Sequence, residues 1–199
     1  MLLDASDSTL VLVDYQQRLM PAIADASAVL VNAERLARLA ALIEVPVLAT
    51  EQNPAGLGPT VQSLRGLLPC VLPKAAFGAG AELMPRLRPP VAAPRGNSRS
   101  LPRHLQKPVE AAPTRGSVVL AGCEAHVCVL QTALQLLEEE FDVWVVTDAC
   151  GSRTERNRDA AFDRLAGAGC ELVTTEMVAF EWLGDSRHPR FKEALALIK

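Results

Sequence analysis

The chain has 199 residues, a formal net charge of -3, 49% hydrophobic side chains and only 4% aromatic ones. That length suits one domain with a sizeable core, and the slightly acidic balance gives no electrostatic reason to bind nucleic acid or a membrane surface. No apolar run approaches the roughly 20 residues needed to span a bilayer, and Met1-Leu2-Leu3-Asp4 lacks the basic start of a secretory signal, so the cytosol is the expected compartment.

Thr9-Leu10-Val11-Leu12-Val13 reads as a first strand ending at Asp14, and Ala28 to Ile43 as a helix with Val29, Ala33, Leu36, Ala40 and Ile43 on one face. Val45 to Ala49 is a second strand, followed by a Gly/Pro/Asn loop over Thr50 to Gly58 and a short helix over Val61 to Leu67. Cys70-Val71-Leu72 is a third strand that runs into Pro73-Lys74. Ser117 to Ala121 is a fourth, and Ala125 to Glu139 reads as its helix, with Val127, Leu130, Leu134 and Leu137 on one face. Val143 to Thr147 is a fifth strand, ending at Asp148. Ser152-Arg153-Thr154-Glu155 has the pattern of a capping box opening a helix to about Ala166, with Gly167 and Gly169 stopping it. Glu171 to Thr174 is a sixth strand, and two helices close the chain. Strands alternating with helices predict a three-layer α/β/α sandwich on a mainly parallel six-stranded sheet, in one domain spanning residues 1–199.

Residues 89–113 break this rhythm, with six prolines, Gly96, Asn97, Arg95, Arg99, Arg103 and Lys107. The stretch is read as a surface excursion, with a lid over the site as the alternative.

The five cysteines form no CxxC and no Cys/His finger spacing, which argues against a zinc finger or a disulfide framework. Most are expected to be small buried hydrophobes. Cys128 differs, because it falls in the first turn of a helix leaving the carboxyl end of a strand. There the helix dipole and free backbone N–H groups favour a thiolate, and iodoacetamide should reach it first. Asp14 and Lys74 end strands at the same sheet edge, where open α/β sheets bind ligands. The three together make coherent chemistry: Asp14 as base for the thiol, Lys74 as the fixed positive charge, and backbone N–H groups for an oxyanion. Each also has a plain alternative, as turn residue, surface charge and inert packing respectively. Cys123 is read as core, and Glu124 as an orienting group or a cap. His126 either lines a pocket or simply lies exposed, while His104 and His188 belong to the Pro-rich stretch and the tail. Gly78-Ala79-Gly80 lacks the third glycine of a dinucleotide fingerprint.

Six segments in order resemble the isochorismatase-like hydrolases, a cysteine hydrolase group, especially its isochorismatase-domain-containing branch. They are Val13-Asp14-Tyr15-Gln16, Thr50 to Thr60, Lys74-Ala75-Ala76-Phe77, Gly122 to Ala133, Asp148 to Arg153, and His188 to Lys192. The resemblance implies a triad of Asp14, Lys74 and Cys128, and a cis peptide between Glu124 and Ala125. It further implies an oxyanion held by the Ala125 and Cys128 N–H groups. Gln16, Glu51, Phe77, Glu124 and His126 are the candidate pocket or supporting residues. Three departures matter. The vinyl-ether isochorismatases lack the cysteine; the zinc-holding nicotinamidases have histidines after the second strand, absent here from Glu51 to Gly58; and Phe77-Gly78 stands where relatives often have Phe-Ser. The expectation is therefore a cofactor-free, metal-independent cysteine hydrolase of a small amide, ureido or similar C–N substrate. The resemblance also implies a homo-oligomer, with the apolar tail Phe191 to Ile198 either at the interface or packed on its own domain. The alternatives are a binding or assembly protein of this fold, or a thiol redox protein using Cys123 with Cys128.

Overall fold

The computed structural model describes residues 2–89 and 115–199. The Pro-rich stretch beyond Pro89, and His104 within it, fall outside the described residues. The strands are β1 (Ser8–Val13), β2 (Val47–Gln52), β3 (Val71–Lys74), β4 (Ser117–Gly122), β5 (Asp142–Val146) and β6 (Glu171–Val173). They form one sheet in the order β3-β2-β1-β4-β5-β6, with every pairing parallel. β1 and β4 are buried along their whole length, as the continuous apolar runs Leu10 to Val13 and Val118 to Ala121 require of strands covered on both faces.

The helices are α1 (Ala26–Ile43), α2 (Pro54–Leu57), α3 (Gln62–Arg65), α4 (Gly80–Leu87), α5 (Leu130–Glu138), α6 (Glu155–Ala168), α7 (Thr175–Leu183) and α8 (Phe191–Ile198). α1 packs against α3, α7 and α8, whereas α5 packs against α4 and α6. Right-handed crossovers put these two groups on opposite faces of the sheet. The fold is thus the expected α/β/α sandwich. The chain runs outward from β1 to β3, then returns to place β4 beside β1. Ligands in open α/β sheets bind at such a reversal, which here falls at the carboxyl ends of β1 and β4. No helix of the described residues is long and apolar enough to cross a membrane.

The sequence reading misses in four places, each for a local reason. β2 begins two residues later than expected, because the Val45 N–H still bonds the Ala40 carbonyl of α1, and ends three residues later, because β3 extends the ladder to Gln52↔Lys74. The cap of α6 is Thr154, whose hydroxyl accepts from the Asn157 N–H, and Ser152 instead meets His126. Gly167 lies inside α6, and Gly169, at φ 103°, ends it. The helix after β4 opens as a π turn over Ala125–Val129 before α5 begins. The tail helix α8 packs on α1 and α7, with Ala194 fully buried.

Gly122 closes β4 opposite Val13. A Cβ there would lie 2.5 Å from the Val13 carbonyl oxygen and 2.6 Å from the Val13 Cβ. Neither neighbour can move without parting the two central strands. Gly122→Ala is expected to cost about 1–3 kcal/mol, seen in thermal denaturation as a loss of about 2–12 °C in Tm. An unchanged Tm would show that the strands separate freely at this point.

Candidate active site

Asp14 follows β1 with φ at 58°, a left-handed conformation that a short polar side chain tolerates better than a bulky one. Its N–H donates to the Thr50 carbonyl of β2, and its own carbonyl accepts from the Gln16 N–H. Lys74 ends β3, two strands away. The two side chains meet with Lys74 Nζ 2.7 Å from Asp14 Oδ2, and neither has any solvent exposure.

A buried ion pair survives only if its other lone pairs and protons are satisfied. Asp14 Oδ1 accepts from Thr50 Oγ1 at 2.7 Å. Lys74 Nζ donates to Gln52 Oε1 at 2.6 Å, Phe77 O at 2.9 Å and Ala76 O at 3.3 Å. These three oxygens surround the ammonium together with Asp14 Oδ2. Asp14 Oδ2 therefore feels the positive charge at close range yet accepts no hydrogen bond among the described residues. It is a carboxylate oxygen held ready for another donor.

Cys128 sits in the π turn after β4, 5% exposed, with both the Asp14 carboxylate and the Lys74 ammonium acting on its thiol. The structure thus brings Asp14, Lys74 and Cys128 together from three separate strand ends. It corrects the expected thiolate, however. Burial, reinforced by the Asp14 charge, pushes the Cys128 thiol up to about 12, and Lys74 opposes this only in part. Burial thus favours the protonated thiol, and the Asp14 carboxylate lies beside it.

The expected oxyanion donors also need correction. β4 gains one further step beyond its end, through a Cys123↔Gly151 bridge in which Gly151 N–H donates to Gly122 O and Ala125 N–H donates to Gly151 O at 2.8 Å. The Ala125 N–H is thereby committed to the sheet. The N–H of Glu124 has no acceptor among the described residues. The cis peptide likewise lies at Cys123–Glu124, one bond earlier than expected.

The supporting candidates resolve into distinct roles. Gln16 is fully buried, and its amide is consumed in structure: Nε2 donates to the Gln52 and Gly58 carbonyls, and Oε1 accepts from the Gln52 N–H. Glu51 holds Thr60 through its N–H and hydroxyl. Phe77 contributes its carbonyl to Lys74 while its ring is exposed. Glu124 is buried and orients the 151–153 segment, accepting from Arg153 Nε at 2.8 Å and Arg153 N–H at 3.0 Å. His126 is half-buried, its Nδ1 3.0 Å from Ser152 Oγ and 3.4 Å from Glu124 Oε2. Cys123 is core, in contact with Met20 Sδ at 3.7 Å, and burial raises its thiol well above the ordinary range.

Thr50 and Gln52 were missed by the sequence reading. Ending β2 at Ala49 left them in a loop, whereas the ladder to β3 carries them to the sheet edge beside Asp14 and Lys74. Among the described residues, no group of three His, Cys, Asp or Glu side chains is placed to hold a metal ion.

The sequence model of the isochorismatase domain matches residues 8–177. The chain is 39% identical over 194 residues to isochorismatase domain-containing protein 2 of Macaca fascicularis, a match covering 96% of this chain and 83% of that one. Among solved structures, the MAR1 ribonuclease of Caenorhabditis elegans superposes with a TM-score of 0.84 at 31% identity, covering 100% of this chain and 92% of that one. The YcaC gene product of Escherichia coli, described as an octameric hydrolase of unknown specificity, gives 0.79 at 28% identity, covering 98% and 88%.

The raised thiol sets a measurable order of reactivity. At neutral pH iodoacetamide is expected to label half-buried Cys70 before Cys128, the reverse of the order that helix position alone suggests. The Cys128 rate should then climb about tenfold per pH unit towards pH 11. Peptide mass spectrometry over a pH series reads both. A Cys128 rate that levels off near neutral pH would mean a stable resting thiolate.

Proposed function

The chain belongs to the isochorismatase domain family, and we propose that it is a cysteine hydrolase that cleaves a small amide, ureido or similar C–N substrate without a metal. One observation carries the reading: Cys128 lies buried beside the Asp14–Lys74 ion pair, and Asp14 Oδ2 has no hydrogen-bond donor assigned among the described residues. Such a group is suited to take the thiol proton as the bond to substrate forms.

In this mechanism Asp14 Oδ2 accepts the Cys128 proton while sulfur attacks the carbonyl carbon, and the C=O pair moves onto oxygen. The oxyanion is received by the Cys128 N–H and, in place of Ala125, by the uncommitted Glu124 N–H. Collapse breaks the C–N bond, and the proton on Asp14 passes to the leaving nitrogen. Water then attacks the thioester as Asp14 takes its proton. Loss of the sulfur releases the acid, and Asp14 returns the proton to Cys128. Lys74 transfers no proton in this scheme; its ammonium is held by Gln52, Ala76 and Phe77 beside Asp14. It holds Asp14 in place and tempers the negative charge of the thiolate.

The fully buried pair favours a small substrate over a polymer. Five free cysteines suit a reducing, cytosolic setting. A homo-oligomer is the expected assembly, by likeness to the octameric YcaC product.

A panel of small amides and carbamoyl compounds, read by ammonia release, tests the reaction class. On any substrate found, Cys128→Ser and Asp14→Asn are each expected to lower kcat by about 10³-fold or more, and the double variant by no more than the worse single one. A Cys128 thioester should appear in the intact mass under turnover. Near-normal turnover by Asp14→Asn would overturn the mechanism.

A further inference from the structure

α4 begins without a side-chain cap of its own. Its opening donors are satisfied instead from α5. The Ala79 N–H donates to Thr132 Oγ1 at 3.0 Å, and the Gly80 N–H to Gln135 Oε1 at 2.9 Å. Thr132 is fully buried, so this replaces solvent outright. Cys128 lies in the π turn that leads into α5, and Thr132 and Gln135 follow on one face of α5 at i and i+3. The segment they hold, residues 75–79, is the one whose Ala76 and Phe77 carbonyls accept from Lys74 Nζ.

We infer that Thr132 is a positioning residue for the Cys128 site: by fastening the 75–79 segment to the helix that carries the thiol, it fixes the distance between Lys74 and Cys128. The inference rests on the hydrolase reading above, in which Lys74 tempers the thiolate charge. Gly78 is the counterpart of the second fastening. A Cβ at Gly78 would lie 2.3 Å from Gln135 Oε1, although its backbone is not in the left-handed region. The glycine is needed there for the Gln135 amide to lie across the segment. This also explains the departure from the Phe-Ser pattern, since the space for a side chain at position 78 is already filled.

The ladder β3-β2-β1-β4 already holds the two strand ends that supply the charges, but residues 75–79, whose carbonyls meet the Lys74 ammonium, lie beyond it. Thr132 ties them to the nucleophile with one hydrogen bond in a dry site, where a lost acceptor leaves an unpaired N–H. Valine keeps the shape of threonine and removes that acceptor, while serine keeps it.

The test is the rate of Cys128 alkylation by iodoacetamide at pH 9 in the full chain, with half-buried Cys70 as internal reference and Tm measured for each variant. Thr132→Val is expected to slow Cys128 by about tenfold, the thiolate fraction lost when a thiol rises by about one pKa unit. Thr132→Ser should restore the rate. Gly78→Ala, which displaces only the Gln135 amide, should slow it in the same direction with little change in Tm, and so serves if Thr132→Val folds poorly. Lys74→Met is the control. If Lys74→Met slows Cys128 but Thr132→Val and Gly78→Ala leave it unchanged or faster, the positioning role is wrong and the hydrolase reading stands. If Lys74→Met itself leaves the rate unchanged, the electrostatic reading falls, and the positioning role with it.

Discussion

The ion pair between Asp14 and Lys74 is the constraint around which the rest of the sheet edge is arranged. Two opposite charges with no access to water are stable only when each remaining valence is met. Thr50 meets one carboxylate oxygen, and Gln52, Ala76 and Phe77 meet the ammonium. Those partners come from β2 and from the segment after β3, so both must stop where they do. Gln16 reinforces this by locking Gln52 and the Gly58 carbonyl together. Asp14 Oδ2 is met by the Lys74 ammonium without a hydrogen bond assigned among the described residues, and the carboxylate acts on the Cys128 thiol.

Burial therefore works in two directions at this site. It strengthens every charge interaction by excluding solvent, and for the same reason keeps Cys128 protonated. A surface cysteine at a helix start would be a thiolate awaiting any electrophile. Here the thiol is inert until its proton has somewhere to go. In the proposed mechanism the same environment makes Asp14, rather than the helix dipole, the activating group.

Much of this was legible from residues alone. Apolar runs locate all six strands, and the residues that end or follow them place Asp14, Lys74 and Cys128 on one edge. What the sequence concealed was of another kind. Thr50 and Gln52 follow an apolar run but belong to its strand, because the neighbour β3 extends the ladder, and pairing partners are not encoded locally. The Ala125 N–H looked free because its acceptor, the Gly151 carbonyl, lies far along the chain. The thiol was expected to be acidic because its helix is local and visible, whereas the burial that outweighs the helix is a property of the assembled core. Local chemistry predicted which residues meet. Tertiary packing decided their protonation and their hydrogen bonds.

The reversal of strand order has a consequence for how the molecule is made. β1 pairs β2 on one side, within the first fifty or so residues, but its other neighbour is β4, in the register Ser8↔Ser117 to Val13↔Gly122. A chain emerging from the ribosome can lay down β1, β2 and β3 and bring Asp14 to Lys74 well before β4 exists. Until β4 arrives, the apolar edge of β1 is open to other strands, and such exposed edges favour aggregation. Closing so long a loop is also slow, because its entropy must be lost before the contacts that repay it form. Cys128 thus joins Asp14 and Lys74 last, and assembly of the three coincides with completion of the central sheet.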